Sequence, residues 1–174
     1  MQMVNWYVIY VNVRHEKKVV QKLLDQNIHA YSPVVKRLRQ WSDRKKWVEF
    51  PMISGYVFVK TDLVDKEKIL GNPAVMGFIK FDGREAVIPQ KEIDILKSIE
   101  LTGFDVSDEA GIFNLHDEVE INQGHLKGLV GKVVQIQNEE YLQIELNSIR
   151  QSIKVKVPKQ ILKIRKAGTL SKLK

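Results

Sequence analysis

Residues Tyr56-Val57-Phe58-Val59 alternate aromatic with β-branched side chains, a period of two that a strand converts into two faces. Tyr56 and Phe58 fall on one face and the valines on the other. Gly55 stands directly before them, where a residue without a Cβ lets the backbone turn or approach a neighbour closely. Just upstream, Lys36 to Lys46 is a turn-rich arm holding six cations (Lys36, Arg37, Arg39, Arg44, Lys45 and Lys46) against one acid, Asp43. The chain is therefore organised around Phe50 to Lys60. Its aromatic face is expected to dock a large protein, and the arm to meet something negatively charged.

A length of 174 residues suits one medium domain or two small ones. The balance of 44% hydrophobic and 28% charged residues is globular, and no apolar run is long enough to span a membrane, Trp6 to Val11 being too short. The first residues lack the charged-then-apolar layout of a secretory signal. Zero cysteines exclude disulfides, thiol catalysis and Cys-based zinc sites. A cytoplasmic protein is the simplest expectation, and nothing in the sequence demands more than a monomer. The net charge of +7 is uneven: +5 over residues 1–100, −5 over 101–118, which hold five acids and no Lys or Arg, and +7 over 119–174. Two basic blocks around an acidic strip look like two domains and a linker, and basic domains favour polyanions such as nucleic acid.

Asn5 to Val11 reads as a buried strand. From Val13 to Ile28 the period changes, with Val19, Val20, Leu23, Leu24 and Ile28 on a helical stripe and Lys17, Lys18 and Lys22 elsewhere around the helix. Arg14 and His15 would sit in its first turn, where positive charge opposes the helix dipole. An exposed helix end tolerates that mismatch at about a few tenths of a kcal/mol, and a phosphate or base contact would explain it equally well. Ala30 to Trp41 reads as a second strand opened by Ser32-Pro33, Ser42-Asp43-Arg44 as a turn, and Trp47 to Phe50 as the start of the return. Trp41 and Trp47, facing each other across such a hairpin, would hold it together by about 0.2–1 kcal/mol. That leaves the six cations unexplained.

Beyond Lys60 come a short helix near Asp65 to Leu70, ended by Gly71-Asn72-Pro73, and a strand Val75 to Phe81 turned by Asp82-Gly83. Val87-Ile88 then leads into a helix opened by Pro89, with Ile93, Leu96 and Ile99 at helical spacing. Helices alternating with antiparallel strands suggest an α+β sandwich of about 100 residues. Residues 101–116 are acidic and aperiodic and read as a flexible linker, with a root-mean-square span of roughly 20–25 Å. Short strands follow at Val119/Ile121, Val130 to Ile136, Tyr141 to Leu146, Ile153/Val155/Val157 and Leu162/Ile164, the pattern of a small β-barrel. Catalysis is not expected. His15, His29, His116 and His125 stand apart, no Gly-rich phosphate loop follows a strand, and no serine sits in a nucleophile elbow. Neither a cofactor nor a metal is expected, and each histidine is expected to be exposed or capping.

Trp6-Tyr7-Val8-Ile9-Tyr10, Glu16-Lys17-Lys18-Val19, Ser54-Gly55-Tyr56-Val57-Phe58-Val59 and Val75-Met76-Gly77-Phe78-Ile79 resemble, in order and spacing, the NusG amino-terminal domain. Asp117-Glu118-Val119-Glu120-Ile121 with Gly124, Gly128, Val130-Gly131 and Val133 resemble the KOW motif of its carboxy-terminal β-barrel. The resemblance implies an amino-terminal domain over 3–100, the linker over 101–116, a KOW barrel over 117–166 and a basic tail over 167–174. Arg39-Gln40-Trp41-Ser42-Asp43-Arg44-Lys45-Lys46 resembles the UpxY branch, specialised paralogues that act as antiterminators on long capsular or surface polysaccharide operons. Housekeeping members usually show Phe-Pro-Gly-Tyr where this chain has Ile53-Ser54-Gly55-Tyr56, and often Phe-Gly-Arg where it has Asn147-Ser148-Ile149-Arg150. Both departures favour a paralogue.

The resemblance further implies an apolar depression, lined by Tyr10, Tyr56, Phe58 and Phe81, that binds the coiled-coil clamp helices of RNA polymerase and opposes pausing. Each aromatic can bury about 150–250 Å²; Tyr7 and Phe78 are expected to pack inside the domain instead. The first helix would read the exposed non-template DNA strand through Arg14, Lys17, Lys18 and Lys22, with Asn72 on a neighbouring loop. The basic arm would grip either upstream DNA or the opposite polymerase pincer. The barrel would recruit a second partner, commonly a ribosomal protein or a termination factor, with Gly124, Gly128 and Gly131 as structural turn residues. Some specialised relatives store this domain as a helical hairpin, but the strict alternation of Ile153-Lys154-Val155-Lys156-Val157 argues for a strand. The function expected is transcription elongation and antitermination on a long polysaccharide operon. The alternatives are a general elongation factor and a KOW-type RNA- or ribosome-binding module.

Overall fold

The alternation at Tyr56 to Val59 becomes strand β5 (Tyr56–Thr61) near the centre of an antiparallel sheet. A computed structural model describes residues 4–41, 43–103, 106–107, 118–136, 139–157 and 162–164. β5 lies between β1 (Asn5–Val11) and β2 (His29–Tyr31), and β6 (Val75–Phe78) and β9 (Val87–Ile88) both pair with β1. The register sets Tyr10 opposite Tyr56 and Val8 opposite Phe58. Each face of this pair feeds its own core. Val57 and Val59 join Tyr7, Ile9 and Val11 against Val19, Leu23 and Ile28 of the first helical segment and Ile69 of the second. Tyr56 and Phe58 join Trp6 and Val8 against Ile93, Leu96 and Ile99 of the third helix. Tyr7 and Phe78 are both buried and meet edge-to-face at 6.3 Å.

Helix α1 spans Glu16–Asp25, shorter than its apolar stripe suggests. Arg14 has φ 70°, a left-handed conformation that cannot start a right-handed helix, so Arg14 and His15 precede the first turn rather than occupy it. Glu16 takes that place, with the charge sign the dipole favours. At the other end Asn27, also left-handed at φ 61°, lets Ile28 N–H donate to the Leu23 carbonyl at 2.8 Å. The expected strand Ala30 to Trp41 is two strands in two sheets. Pro33 has no N–H to donate, and it separates β2 from β3 (Val34–Gln40), which among the described residues pairs only with β4 (Lys45–Pro51). This two-stranded ribbon is exposed from Lys36 to Trp47 apart from Ser42, which lies outside the described residues, and it is rooted by buried Val35 and Met52. Trp41 and Trp47 do not face each other; Leu38 is the residue opposite Trp47.

Helix α2 (Lys66–Leu70) follows, and the expected strand Val75 to Phe81 breaks at Ile79 into β6 and β7 (Lys80–Phe81), the latter paired with β8 (Arg84–Glu85). Lys66 Nζ reaches Glu85 Oε1 at 2.6 Å and ties α2 to this hairpin. Helix α3 (Gln90–Thr102) starts after Pro89 and ends at left-handed Gly103. Tyr31 O–H donates to Glu100 Oε2 at 2.8 Å, fastening the edge strand β2 to α3.

The carboxy-terminal sheet runs β10-β14-β13-β12-β11-β15. Its strands are β10 (Val106–Ser107), β11 (Glu118–Ile121), β12 (Val130–Ile136), β13 (Glu139–Leu146), β14 (Gln151–Val155) and β15 (Leu162–Ile164). Ile153 to Val155 are strand, as their alternation suggests. Among the described residues β10 and β15 remain edges, so the pairing is an antiparallel sheet that does not close into a barrel. Within the expected linker 101–116, α3 continues to Thr102 and β10 pairs with β14; residues 104–105 and 108–117, and the tail 167–174, lie outside the described residues. Ile121, Leu126, Leu142, Ile144, Leu146 and Ile153 are contiguous with the core on the aromatic face of the first sheet.

Gly131 shows how closely β12 approaches β13. A Cβ there would stand 2.6 Å from the Gln143 carbonyl oxygen and 2.8 Å from Leu142 Cδ1. Gly131→Ala is accordingly expected to destabilise the protein by about 1–3 kcal/mol, the usual cost of overpacking, as a lowered urea midpoint. An unchanged midpoint would show that the two strands can part without loss.

Candidate functional site

Gly55 makes the turn from which Tyr56 emerges, and it is held on three sides. Its φ is +78°, and a Cβ would lie 2.8 Å from Tyr10 Cε2 and 3.2 Å from the Val11 carbonyl oxygen. Its N–H donates to Glu16 Oε1 at 2.7 Å, and its carbonyl accepts from Val11 N–H at 2.8 Å. Glu16 is a buried carboxylate on the first turn of α1, so that helix is pinned to the start of β5. Tyr10 covers Gly55 and meets Tyr56 edge-to-face, with ring centroids 5.7 Å apart. Burial pushes the Tyr56 phenol above its ordinary pKa; a hydrogen bond from Gln151 opposes the shift and Tyr10 adds to it.

Of the four aromatics expected to line a docking depression, Tyr10 is 37% exposed, Tyr56 and Phe81 are half-buried and Phe58 is fully buried. Phe58 packs beside Tyr31 at 6.3 Å and belongs to the floor beneath Tyr56 rather than to the surface. The carboxy-terminal part meets this face through two segments, Gly124–Leu126 against α3 and Asn147 to Gln151 over the aromatic rings. Ser148 N–H and Oγ–H donate to Glu92 Oε1 at 3.3 and 2.9 Å. The Arg150 guanidinium stands 4.8 Å over the Phe81 ring, and Gln151 Nε2 donates to the Tyr56 hydroxyl at 3.3 Å. Asn147 to Arg150, the departure from the housekeeping pattern, is thus one of the two segments that meet this face.

The helix cations divide between two clefts. Lys18 and Lys22, one turn apart, share a cavity of about 230 Å³ with Asn12, His15 and Asn72. Asn72 Oδ1 accepts from Ala74 N–H at 3.1 Å, which fixes its loop and leaves its amide N–H groups to point elsewhere. Arg14 and Lys17 line a second cleft with Val20, Val34 and Phe50 at the root of the β3–β4 ribbon. Lys17 Nζ pairs with Glu49 Oε2 at 3.3 Å. On the ribbon, Arg37 and Arg39 lie over Phe50 and Arg44 over Trp41. His29 packs edge-on against Trp6, and His15 Nδ1 lies 3.3 Å from the Val13 carbonyl oxygen. Glu16, Glu92 and Gln151 escaped sequence reasoning. Glu16 sat in a quoted match, but nothing local says that its carboxylate turns inward to an amide 39 residues away.

An open sheet carrying a half-exposed aromatic face, flanked by cationic helix and ribbon surfaces, is the build of a binding protein. Residues 4–97, more than half of the chain, match the NusG family, described as transcription termination factor nusG, and the chain belongs to that family. Members of this family are transcription factors rather than enzymes. The solved structure of domain interaction in Thermotoga maritima NusG aligns over 94% of this chain and 98% of its own with a TM-score of 0.58; at 18% identity this is a likeness of fold. A crystal structure of an MjSpt4:Spt5 complex aligns over 92% and 97% at 21% identity with a TM-score of 0.30. No curated protein matches the sequence. Among the described residues no helix is long and apolar enough to cross a membrane.

Glu16→Ala would leave the Gly55 N–H without its buried acceptor, at an expected cost of about 1–3 kcal/mol. Glu16→Gln, which keeps an acceptor oxygen, should cost less. Urea denaturation of the two variants measures the difference, and equal losses would mean that the bond to Gly55 contributes little.

Proposed function

We propose that this protein is an elongation factor of the antiterminating kind, acting on a long surface-polysaccharide operon, that binds the clamp helices of RNA polymerase through Tyr10, Tyr56 and Phe81 above a floor made by Phe58. The observation that most supports this reading is the Gly55 turn, which holds two aromatic rings at the surface with a buried carboxylate, a backbone hydrogen bond and a ring contact. A surface aromatic kept that rigid loses little entropy on docking. The specialised branch rests on the Arg39 to Lys46 resemblance. Residues 3–100 form the polymerase-binding domain and 117–166 a KOW-type module that recruits a ribosomal protein or another factor, in a cytoplasmic monomer.

The contacts of Ser148, Arg150 and Gln151 make the described arrangement a closed one. Polymerase binding at Tyr56 and Phe81 then requires the carboxy-terminal sheet to move away, and the measured affinity is reduced by the fraction of molecules that are open. Arg14, just before α1, and Lys17, Lys18 and Lys22 on it, with Asn72, meet the non-template DNA strand.

Polymerase capture tests the docking face. Tyr56→Ala should weaken it about tenfold or more, as for a central interface aromatic worth about 2 kcal/mol. Ser148→Ala with Arg150→Ala should strengthen capture by loosening the closed form. Unchanged capture with Tyr56→Ala would sink the docking assignment and favour an RNA- or ribosome-binding module. If the four α1-side cations each neutralise one phosphate, log affinity for single-stranded DNA should fall with log salt at a slope of about −3. A slope near zero would remove DNA from the α1 surface.

A further inference from the structure

The hydrogen bonds of the β3–β4 ribbon say which backbone groups its edges present. Trp41 N–H donates to the Arg44 carbonyl at 2.8 Å, and Met52 N–H to the Pro33 carbonyl at 2.7 Å. Bonded and non-bonded positions alternate along an antiparallel pair, so the register makes Val35–Phe50, Arg37–Val48 and Arg39–Lys46 the bonded pairs. Lys45, Trp47 and Glu49 belong to the others, and their N–H and C=O groups point away from β3. Among the described residues no third strand meets the ribbon, and no hydrogen bond reaches those backbone groups. A concavity is lined by Lys46, Trp47, Val48 and Glu49 in succession, together with Lys17 of α1 and Gly103 at the end of α3. A strand face supplies alternate residues, so four in a row mark an edge. The Lys17–Glu49 ion pair at 3.3 Å ties this edge of β4 to α1.

The side chains along this edge narrow what it accepts. Lysines on an edge strand deter pairing with an apolar or basic strand. Among the described residues Lys36, Lys45 and Lys46 make no ion pair. Guarding an edge does not call for an exposed indole, yet Trp47 is 64% exposed in the middle of this one. Leu38 stands opposite Trp47 in a non-bonded pair, the kind that brings side chains closer, and is itself exposed. Glu49 already has Lys17, so the charge left to be met lies at Lys45 and Lys46. An extended chain with an apolar residue opposite Trp47 and carboxylates opposite Lys45 and Lys46 satisfies backbone, ring and charge together. A nucleic acid would meet the ring and the charge but leave the row of backbone groups unpaired.

We propose that the free edge of β4 is a strand-addition site for an extended acidic segment of a partner protein. The segment pairs with the backbone of Lys45, Trp47 and Glu49, sets an apolar side chain against Trp47 and meets Lys45 and Lys46 with carboxylates. An added strand has two faces of its own, so Lys45 and Lys46, on opposite faces of the ribbon, are both within its reach. None of Tyr10, Tyr56 and Phe81 lines this concavity, so the site stands apart from the polymerase-docking face.

The probe is a capped, labelled peptide, Thr-Val-Phe-Glu-Glu, whose phenylalanine falls opposite Trp47 in antiparallel register, mixed with the full-length protein at low salt. Saturable binding by anisotropy is expected. Amide exchange followed by NMR should slow at Lys45, Trp47 and Glu49, while Lys46 and Val48, already bonded to β3, change little. N-methylation of the phenylalanine, whose N–H faces β4, should abolish binding. N-methylation of the valine, whose N–H faces away, should be tolerated. Trp47→Ala should weaken binding about thirtyfold, as for an interface aromatic worth about 2 kcal/mol, and Trp47→Phe, which keeps a ring, should retain most of the affinity. Lys45→Gln with Lys46→Gln should weaken binding and flatten its salt dependence. The proposal is overturned by an absence of saturable binding, by equal binding of the two N-methylated peptides, or by slowed exchange along β3 at Lys36, Leu38 and Gln40 instead. The same exchange pattern with an oligothymidylate in place of the peptide would overturn it too, and would make the edge a nucleic-acid surface.

Discussion

A single buried hydrogen bond, from Gly55 N–H to the Glu16 carboxylate, sets the relation between the first helix and the central strand. Burying a carboxylate is costly unless its oxygens find donors. A backbone amide in a positive-φ turn is a donor that only glycine places there without strain. The two residues thus require each other. Because the turn cannot relax, Tyr10 lies against Gly55 and Tyr56 leaves the turn directly beside it. The helix that carries Glu16 presents Lys17 and Lys18 at the next two positions, so the inward anchor and the outward cations share one turn of α1.

The same sheet explains why aromatic rings of one face reach the surface while the other face is fully covered. α1 and α2 cover Val57, Val59, Ile9 and Val11 completely. On the opposite face α3 covers Trp6, Val8 and Phe58, but Tyr56 and Phe81 extend past it and meet Arg150 and Gln151. Those contacts are polar or ring–cation, worth about 0.5–1.5 kcal/mol for a hydrogen bond and about 0.5–1 kcal/mol for an exposed cation over a ring. Leu126 and Leu129 join the same core beside α3, so apolar burial adds to these contacts.

Much of this was legible in the sequence because a period of two or of 3.6 survives folding. The faces of β5, the buried stripe of Ile93, Leu96 and Ile99, and five strands of the carboxy-terminal sheet all follow from it. What was not legible depends on single backbone angles or on distant partners. Nothing in its side chain marks Arg14 as left-handed, so α1 starts two residues later than its cations suggest. Phe58 looks the same to a pattern whether it floors a depression or lines it, and only packing distinguishes the two. Strand number can be counted along the sequence, but closure of the sheet is a matter of which edges meet. The docking of Ser148 on Glu92 joins residues 56 positions apart, beyond any local signal.

The charge distribution completes the physical picture. On α1, Lys18 and Lys22 lie one turn apart on one face, and Lys17 has Glu49 as a counter-charge. The ribbon instead sets Arg39 against Lys46 and uses Phe50 and Trp41 as rests for three guanidinium groups. A cation over an exposed ring gains about 0.5–1 kcal/mol, comparable to what opposed like charges lose across a strand pair. The rings therefore let a two-stranded ribbon carry a charge density that the pairing alone would resist. The repulsion they leave is strongest at low ionic strength, because the Debye length at physiological salt is only about 8 Å. It is centred on the Arg39–Lys46 pair, because Arg44 has Asp43 as a counter-charge at 3.8 Å.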